Sequence, residues 1–166
     1  RVGFESDFLH YNSPAERIVE CIPSDRSVLL VHNCEIATGD ITMVLNHFKA
    51  PVYWVLCPRS NSYISGIEPR AVELLRRYDR NINICIGTDS LASNWSLSMV
   101  EELKMFHDIP LAELLQWATI NGARALGIDD KYGTIEVGKH SGVVNITGVN
   151  LENFALTPQS KAQRVL

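Results

Sequence analysis

Three short apolar runs, each closed by a polar tip and followed by a helical pattern, constrain the fold of this 166-residue chain more than any other feature. Ser27-Val28-Leu29-Leu30-Val31 runs into His32-Asn33-Cys34, and Val52-Tyr53-Trp54-Val55-Leu56-Cys57 into Pro58-Arg59-Ser60-Asn61. Ile82-Asn83-Ile84-Cys85-Ile86 runs into Gly87-Thr88-Asp89-Ser90. Continuous apolar strands alternating with helices predict an α/β fold with a parallel sheet covered on both faces. The tips of parallel strands lie along one edge, where such folds place their sites. His32, Asn61 and Asp89 are therefore expected to share a face.

The intervening helices follow from apolar spacing. Ile41, Val44, Leu45 and Phe48 recur at i, i+3, i+4, i+7 and predict a helix over 38–48, capped by Thr38 or Asp40. A second is expected over 68–78, with Pro69 in its first turn. Before the first strand, Ser13, Pro14 and Glu16 carry the signature of a capped helix start, giving a helix over 13–21. Two helices follow the third strand, over 96–106 with Ser96 as cap and over 110–126 with Gly127 as stop. Beyond Gly127 the pattern changes to short strands, 133–138 and 142–146, separated by glycines and charged turns. The expected division is a βα part over 1–127 and a small β unit with a tail over 128–166.

Composition excludes several function classes. A net charge of −4 without clustered Lys or Arg gives no basis for nucleic-acid or membrane-surface binding. No apolar stretch approaches the ~20 residues of a membrane span. Cys21, Cys34, Cys57 and Cys85 form no CxxC pair and read as reduced, buried small hydrophobes, which suits a cytoplasmic protein. A chain that begins at Arg1 suggests a piece of something longer.

The polar tips carry the chemistry. Asp89, at the mouth of a buried strand, reads equally as a helix cap and as a metal ligand or general base. His32 closes its strand either as a hydrogen-bonded structural histidine or as a partner for that carboxylate in proton transfer or metal binding. Arg59, Ser60 and Asn61 read as a polar loop that could hydrogen-bond a substrate, and residues 90–94 as a capping loop or a flap. Ser90 lacks the GxSxG context of a nucleophile. Tyr53, Trp54, Trp95 and Trp117 are expected in the core.

Taken in order, Leu30-Val31-His32-Asn33-Cys34, Leu56-Cys57-Pro58-Arg59-Ser60-Asn61 and Ile86-Gly87-Thr88-Asp89-Ser90 resemble the C-terminal half of an amidohydrolase-superfamily enzyme. The resemblance is to the aminohydrolase and chlorohydrolase branch, that of the S-adenosylhomocysteine/methylthioadenosine deaminases. The stretch Trp117-Ala118-Thr119-Ile120-Asn121-Gly122-Ala123-Arg124-Ala125-Leu126-Gly127, followed by Gly133-Thr134-Ile135-Glu136-Val137-Gly138-Lys139, is equally similar to that family.

The resemblance implies strands six to eight of a TIM (β/α)8 barrel, a fold of about 250 residues, leading into a small β domain. It implies that Asp89 is a metal ligand and proton shuttle, and that His32 contacts the substrate or the attacking water. Arg59, Ser60, Asn61 and Ser90 would border the substrate. The implied cofactor is a divalent metal, zinc or alternatively iron. The implied partners are a heterocyclic substrate, deaminated or dechlorinated, and further copies of the chain. The family's HxH pair and its strand-five histidine with the following glutamate are absent from this sequence, so the chain alone is expected to be inactive. Two other readings stand beside this one: a non-catalytic scaffold built on the same fold, and a free-standing three-layer α/β binding domain.

Overall fold

The computed structural model describes residues 10–66, 71–78, 82–140 and 142–165. The three apolar runs form β1 (Val28–Val31), β2 (Val52–Leu56) and β3 (Asn83–Ile86), all parallel, in the order β1-β2-β3. Helix α1 (Pro14–Cys21) precedes them, its Glu16 N–H donating to the Ser13 hydroxyl at 3.2 Å as the capping signature requires. Helix α2 (Thr38–His47) links β1 to β2, and its start is held by Asp40, whose carboxylate accepts the Ala37 N–H at 3.0 Å. The same carboxylate accepts the Ser13 hydroxyl at 2.6 Å and so ties α1 to α2.

The residues after β2 depart from the expected loop. Pro58–Ser65 is a helix, α3, with proline at its first position and Gly66 at φ +64° as its left-handed stop. Helix α4 (Ala71–Tyr78) follows; the expected cap region at Glu68 and Pro69 lies outside the described residues. After β3 the expected helix over 96–106 shortens to α5 (Met99–Leu103), and the Ser96 hydroxyl accepts from the Arg59 guanidinium at 2.9 Å.

The single helix expected over 110–126 is two, α6 (Leu111–Ala118) and α7 (Ile120–Ala125). Between them the Thr119 hydroxyl donates to the Leu115 carbonyl at 2.6 Å, taking the acceptor that the continuing helix would have offered its N–H. Gly127, at φ +65°, ends α7 as expected.

The strand expected over 133–138 does not form. With no neighbouring strand to pair with among the described residues, that segment is turn and coil, and Ile135 and Val137 are exposed. Strand β4 (Val144–Thr147) instead pairs antiparallel with β5 (Lys161–Arg164), in a tail that gave no strand signal.

Sheet coverage differs from the expectation of two buried faces. Leu30, Trp54 and Ile84 are in register across the three strands and join one core with Ile41 and Val44 of α2, Leu75 of α4, Leu103 of α5 and Trp117 of α6. The alternate row begins with Leu29 and Val31 on β1, which are 44% and 50% exposed. The same row is buried on the next two strands, at Tyr53 of β2 and Cys85 of β3, so the open face is confined to β1. Tyr53, Trp54 and Trp117 are buried as expected, whereas Trp95 is exposed. All four thiols are unbridged; Cys57 and Cys85 are buried, but Cys21 is exposed rather than buried.

Candidate active site at the strand tips

Parallel strands put the residues that follow β1, β2 and β3 at one edge, and four of the expected site residues meet there. His32 Nδ1 lies 2.8 Å from Asn61 Oδ1, and Asn61 Nδ2 donates to the His32 carbonyl at 3.3 Å. These two bonds together fix the amide orientation and place the imidazole proton on Nδ1. His32 Nε2 stands 3.8 Å from Asp89 Oδ2.

Asp89 is the most heavily bonded group at this edge. Its Oδ2 accepts the Ser60 hydroxyl at 2.7 Å and the Ser93 hydroxyl at 3.0 Å, while Oδ1 accepts the Ser90 N–H at 2.7 Å. Ser60 donation, then Ser93 and Ser90, holds the Asp89 carboxyl below its ordinary value; burial opposes this and the nearby His32 adds a smaller pull. Asp89 is thus an anion at neutral pH, still 30% exposed at its side chain.

The backbone carries strain at these positions. His32, Asn33 and Asp89 have φ of +71°, +56° and +57°, a conformation costing non-glycine residues roughly 1–3 kcal/mol each. Local bonds offset part of that cost: Asn33 Nδ2 donates to the Leu30 carbonyl at 2.7 Å, and the His32 N–H to the Val55 carbonyl at 2.9 Å.

The other expected residues take different positions. Ser90 contributes its backbone N–H to Asp89, while its hydroxyl accepts the Ala92 N–H at 3.3 Å. Arg59 turns its guanidinium to the Ser96 hydroxyl and over the Trp95 ring, 5.4 Å from the centroid. Tyr63 meets the same ring edge-on, so Arg59, Trp95 and Tyr63 form an exposed rim instead of core.

Ser93 and Asn94, expected only as part of a capping loop or flap over 90–94 and given no individual role, are both buried, and Ser93 bonds directly to Asp89. The available signal was a hydroxyl four residues beyond the strand-tip carboxylate. Cys57 lies close by but is not a nucleophile: burial first, then the Asp89 and Glu102 charges, pushes its thiol up to about 11.

The donor set fits one corner of a divalent-metal site. His32 Nε2 and the ionised Asp89 carboxylate stand 3.8 Å apart, a nitrogen–oxygen pair of the kind that divalent metals use. A catalytic zinc site takes three protein ligands, and among the described residues no group of three or more His, Cys, Asp or Glu could hold a metal.

The amidohydrolase family profile matches residues 5–155 of the chain. The 5-methylthioadenosine/S-adenosylhomocysteine deaminase of Thermoanaerobacter pseudethanolicus is 35% identical over 155 residues, which are 86% of this chain and 34% of that protein. The adenosine deaminase of Helicobacter pylori is 34% identical over 124 residues, 70% of this chain and 29% of its own. Among solved structures, an adenosine deaminase from Xanthomonas campestris with bound zinc superposes with a TM-score of 0.55 at 31% identity, over 71% of this chain and 28% of that one. Guanine deaminase of E. coli, at 16% identity and a TM-score of 0.62 over 81% of this chain and 32% of its own, shares the fold. The chain spans about a third of the length of the curated relatives it matches.

Proposed function

The chain belongs to the amidohydrolase family, and from that membership we propose that it is the C-terminal part of a metal-dependent hydrolase that deaminates a heterocyclic substrate. The observation that carries the reading is the approach of His32 Nε2 to Asp89 Oδ2, 3.8 Å apart at the strand tips. Asp89 would hold the cation. Zinc suits this nitrogen and oxygen set and is bound in the Xanthomonas campestris adenosine deaminase; iron is the alternative. When bound, such a cation supplies the Lewis acidity that lets water lose a proton near neutral pH.

The chain's own residues then handle protons and position. Water adds to the ring carbon bearing the amino group, and ammonia leaves as that carbon becomes a carbonyl. Asp89 takes one proton from the water and returns it to the departing nitrogen; the other proton ends on the ring nitrogen. His32, locked by Asn61, keeps Nε2 directed at the same water or at the substrate. Ser60 holds the Asp89 carboxylate in place. Arg59, Asn61 and Ser90 border the substrate. Loss of chloride from a chloro-substituted ring is the second chemistry: water adds to the carbon bearing chlorine, chloride leaves as the anion, and Asp89 releases the water's proton to solvent.

In this reading residues 1–127 belong to strands six to eight of a (β/α)8 barrel and residues 128–166 to a small β domain, in a cytoplasmic protein. Among the described residues no helix is long and apolar enough to cross a membrane. The exposed Leu29 and Val31 would face strands supplied by the rest of the protein, and the unpaired segment 133–138 would gain a neighbour there.

Two outcomes test the proposal. The chain alone, given zinc and assayed on adenosine-type, guanine and triazine substrates, is expected to show no turnover; metal-dependent turnover would show that two ligands suffice. Light scattering of the isolated chain is expected to find dimers or larger species, because the open strand edges and the apolar β1 face seek partners. A stable, cooperatively melting monomer would count against the missing-strand reading.

A further inference from the structure

Glu102 takes no part in the mechanism above, yet it is fully withdrawn from solvent, at 0% exposure. It lies in α5, and its two carboxylate oxygens serve two different segments. Oε2 accepts the Arg59 N–H at 3.0 Å in the first turn of α3, and Oε1 accepts Asn94 Nδ2 at 2.6 Å. Asn94 Nδ2 also donates to the Thr88 carbonyl at 2.7 Å.

Arg59 is followed by Ser60, and Thr88 by Asp89. One buried carboxylate therefore holds the residue before Ser60 directly and, through Asn94, the residue before Asp89, the two partners of a 2.7 Å hydrogen bond. Burial pushes the Glu102 carboxyl up, while the Arg59 N–H, the Asn94 amide and the Arg59 charge hold it back. Such a placement is costly unless both oxygens are satisfied, and here both are. A well-packed apolar side chain of similar volume would often serve stability alone as well as a buried charge. What an apolar side chain could not do is accept both donors and set the spacing between their segments.

We propose that Glu102 is a positioning residue that fixes the Ser60 hydroxyl against the Asp89 carboxylate by clamping α3 to the loop that follows β3. Its meaning for catalysis rests on the reading of Asp89 given above; the clamp itself does not.

The test uses the full-length protein that contains this chain, labelled with nitrogen-15 and carrying Glu102→Gln or Glu102→Asp. Glutamine offers one acceptor and sets its NH2 against the second donor; aspartate keeps both acceptors on a shorter arm. The reporter is the Ser90 amide, which Glu102 does not touch but which donates to Asp89 Oδ1. The Gly87 amide, bonded to the Leu56 carbonyl within the sheet, serves as control. Glu102→Gln is expected to move the Ser90 resonance upfield, away from its strongly hydrogen-bonded position, with Gly87 unmoved; Glu102→Asp should recover part of the shift.

A Ser90 resonance that stays put while only Arg59 and Asn94 respond would overturn the proposal. So would a general collapse of amide dispersion in both variants, which would give Glu102 a role in folding alone. Turnover does not enter this measurement. Failure of the Asp89 assignment would instead appear as retained activity in Asp89→Asn with the Ser90 effect of Glu102→Gln intact.

Discussion

Asp89→Asn, introduced into the full-length protein that contains this chain, is expected to lower kcat about 10²–10⁴-fold, the usual contribution of a positioned acid–base group. The substitution keeps the shape of the side chain and removes its charge. It also replaces one acceptor oxygen by an NH2 group, at a site where Ser60, Ser93 and the Ser90 N–H all donate. At least one of those donors then faces another donor, so the loop should loosen locally while the core, which lies on the helix-covered side of the sheet, keeps its cooperative melting. KM should change much less than kcat if the carboxylate acts on the water and not on substrate affinity. Steady-state kinetics at saturating zinc reads both quantities. A variant with unchanged kcat would remove Asp89 from the chemistry and leave it as the loop's hydrogen-bond acceptor.

The second large effect concerns stability. Trp54→Ala is expected to cost about 3–5 kcal/mol, the range for emptying a fully buried aromatic position. Trp54 sits at the centre of the middle strand, in register with Leu30 and Ile84, and is 0% exposed. Its Nε1–H is buried without a hydrogen-bond partner. That orphaned donor separates two substitutions that packing alone would grade only by volume. Trp54→Phe loses part of the ring but also removes an unsatisfied group whose burial costs about 1–3 kcal/mol. It should therefore destabilise far less than its lost volume suggests. Urea titration with equal slopes for the three proteins would measure this; a phenylalanine variant as unstable as the alanine variant would show that the indole nitrogen is satisfied in solution.

The parallel sheet and the convergence of His32, Asn61 and Asp89 were legible because apolar runs of strand length carry their own punctuation. Local chemistry hid the rest. Helix α3 is polar throughout its first turn, so apolar periodicity could not reveal it, although Pro58 at its start and Gly66 at its stop mark both ends. The break at Thr119 depends on where one hydroxyl points, which no pattern of apolar residues encodes. Strand β5 reads Lys161-Ala162-Gln163-Arg164 and exists through its ladder with β4. Segment 133–138 shows the converse: its alternation suits a strand, but a strand needs a neighbour. Trp95 was misplaced because an aromatic side chain is usually buried, whereas here Arg59 and Tyr63 support it at the surface.

Three consecutive side chains at the start of α3 each serve a different partner: Arg59 gives a guanidinium N–H to the Ser96 hydroxyl, Ser60 its hydroxyl to Asp89, and Asn61 its amide NH2 to the His32 carbonyl. Each step along an α-helix turns the side chain by about 100°. The fan of partners is thus an angular code, read from the phase at which the helix begins. A single residue inserted between Cys57 and Ser60 would rotate every later side chain by that angle and address each to the wrong neighbour. Substitutions here can be absorbed one at a time, but a change of length cannot, and drift in this stretch should proceed by replacement and never by insertion or deletion.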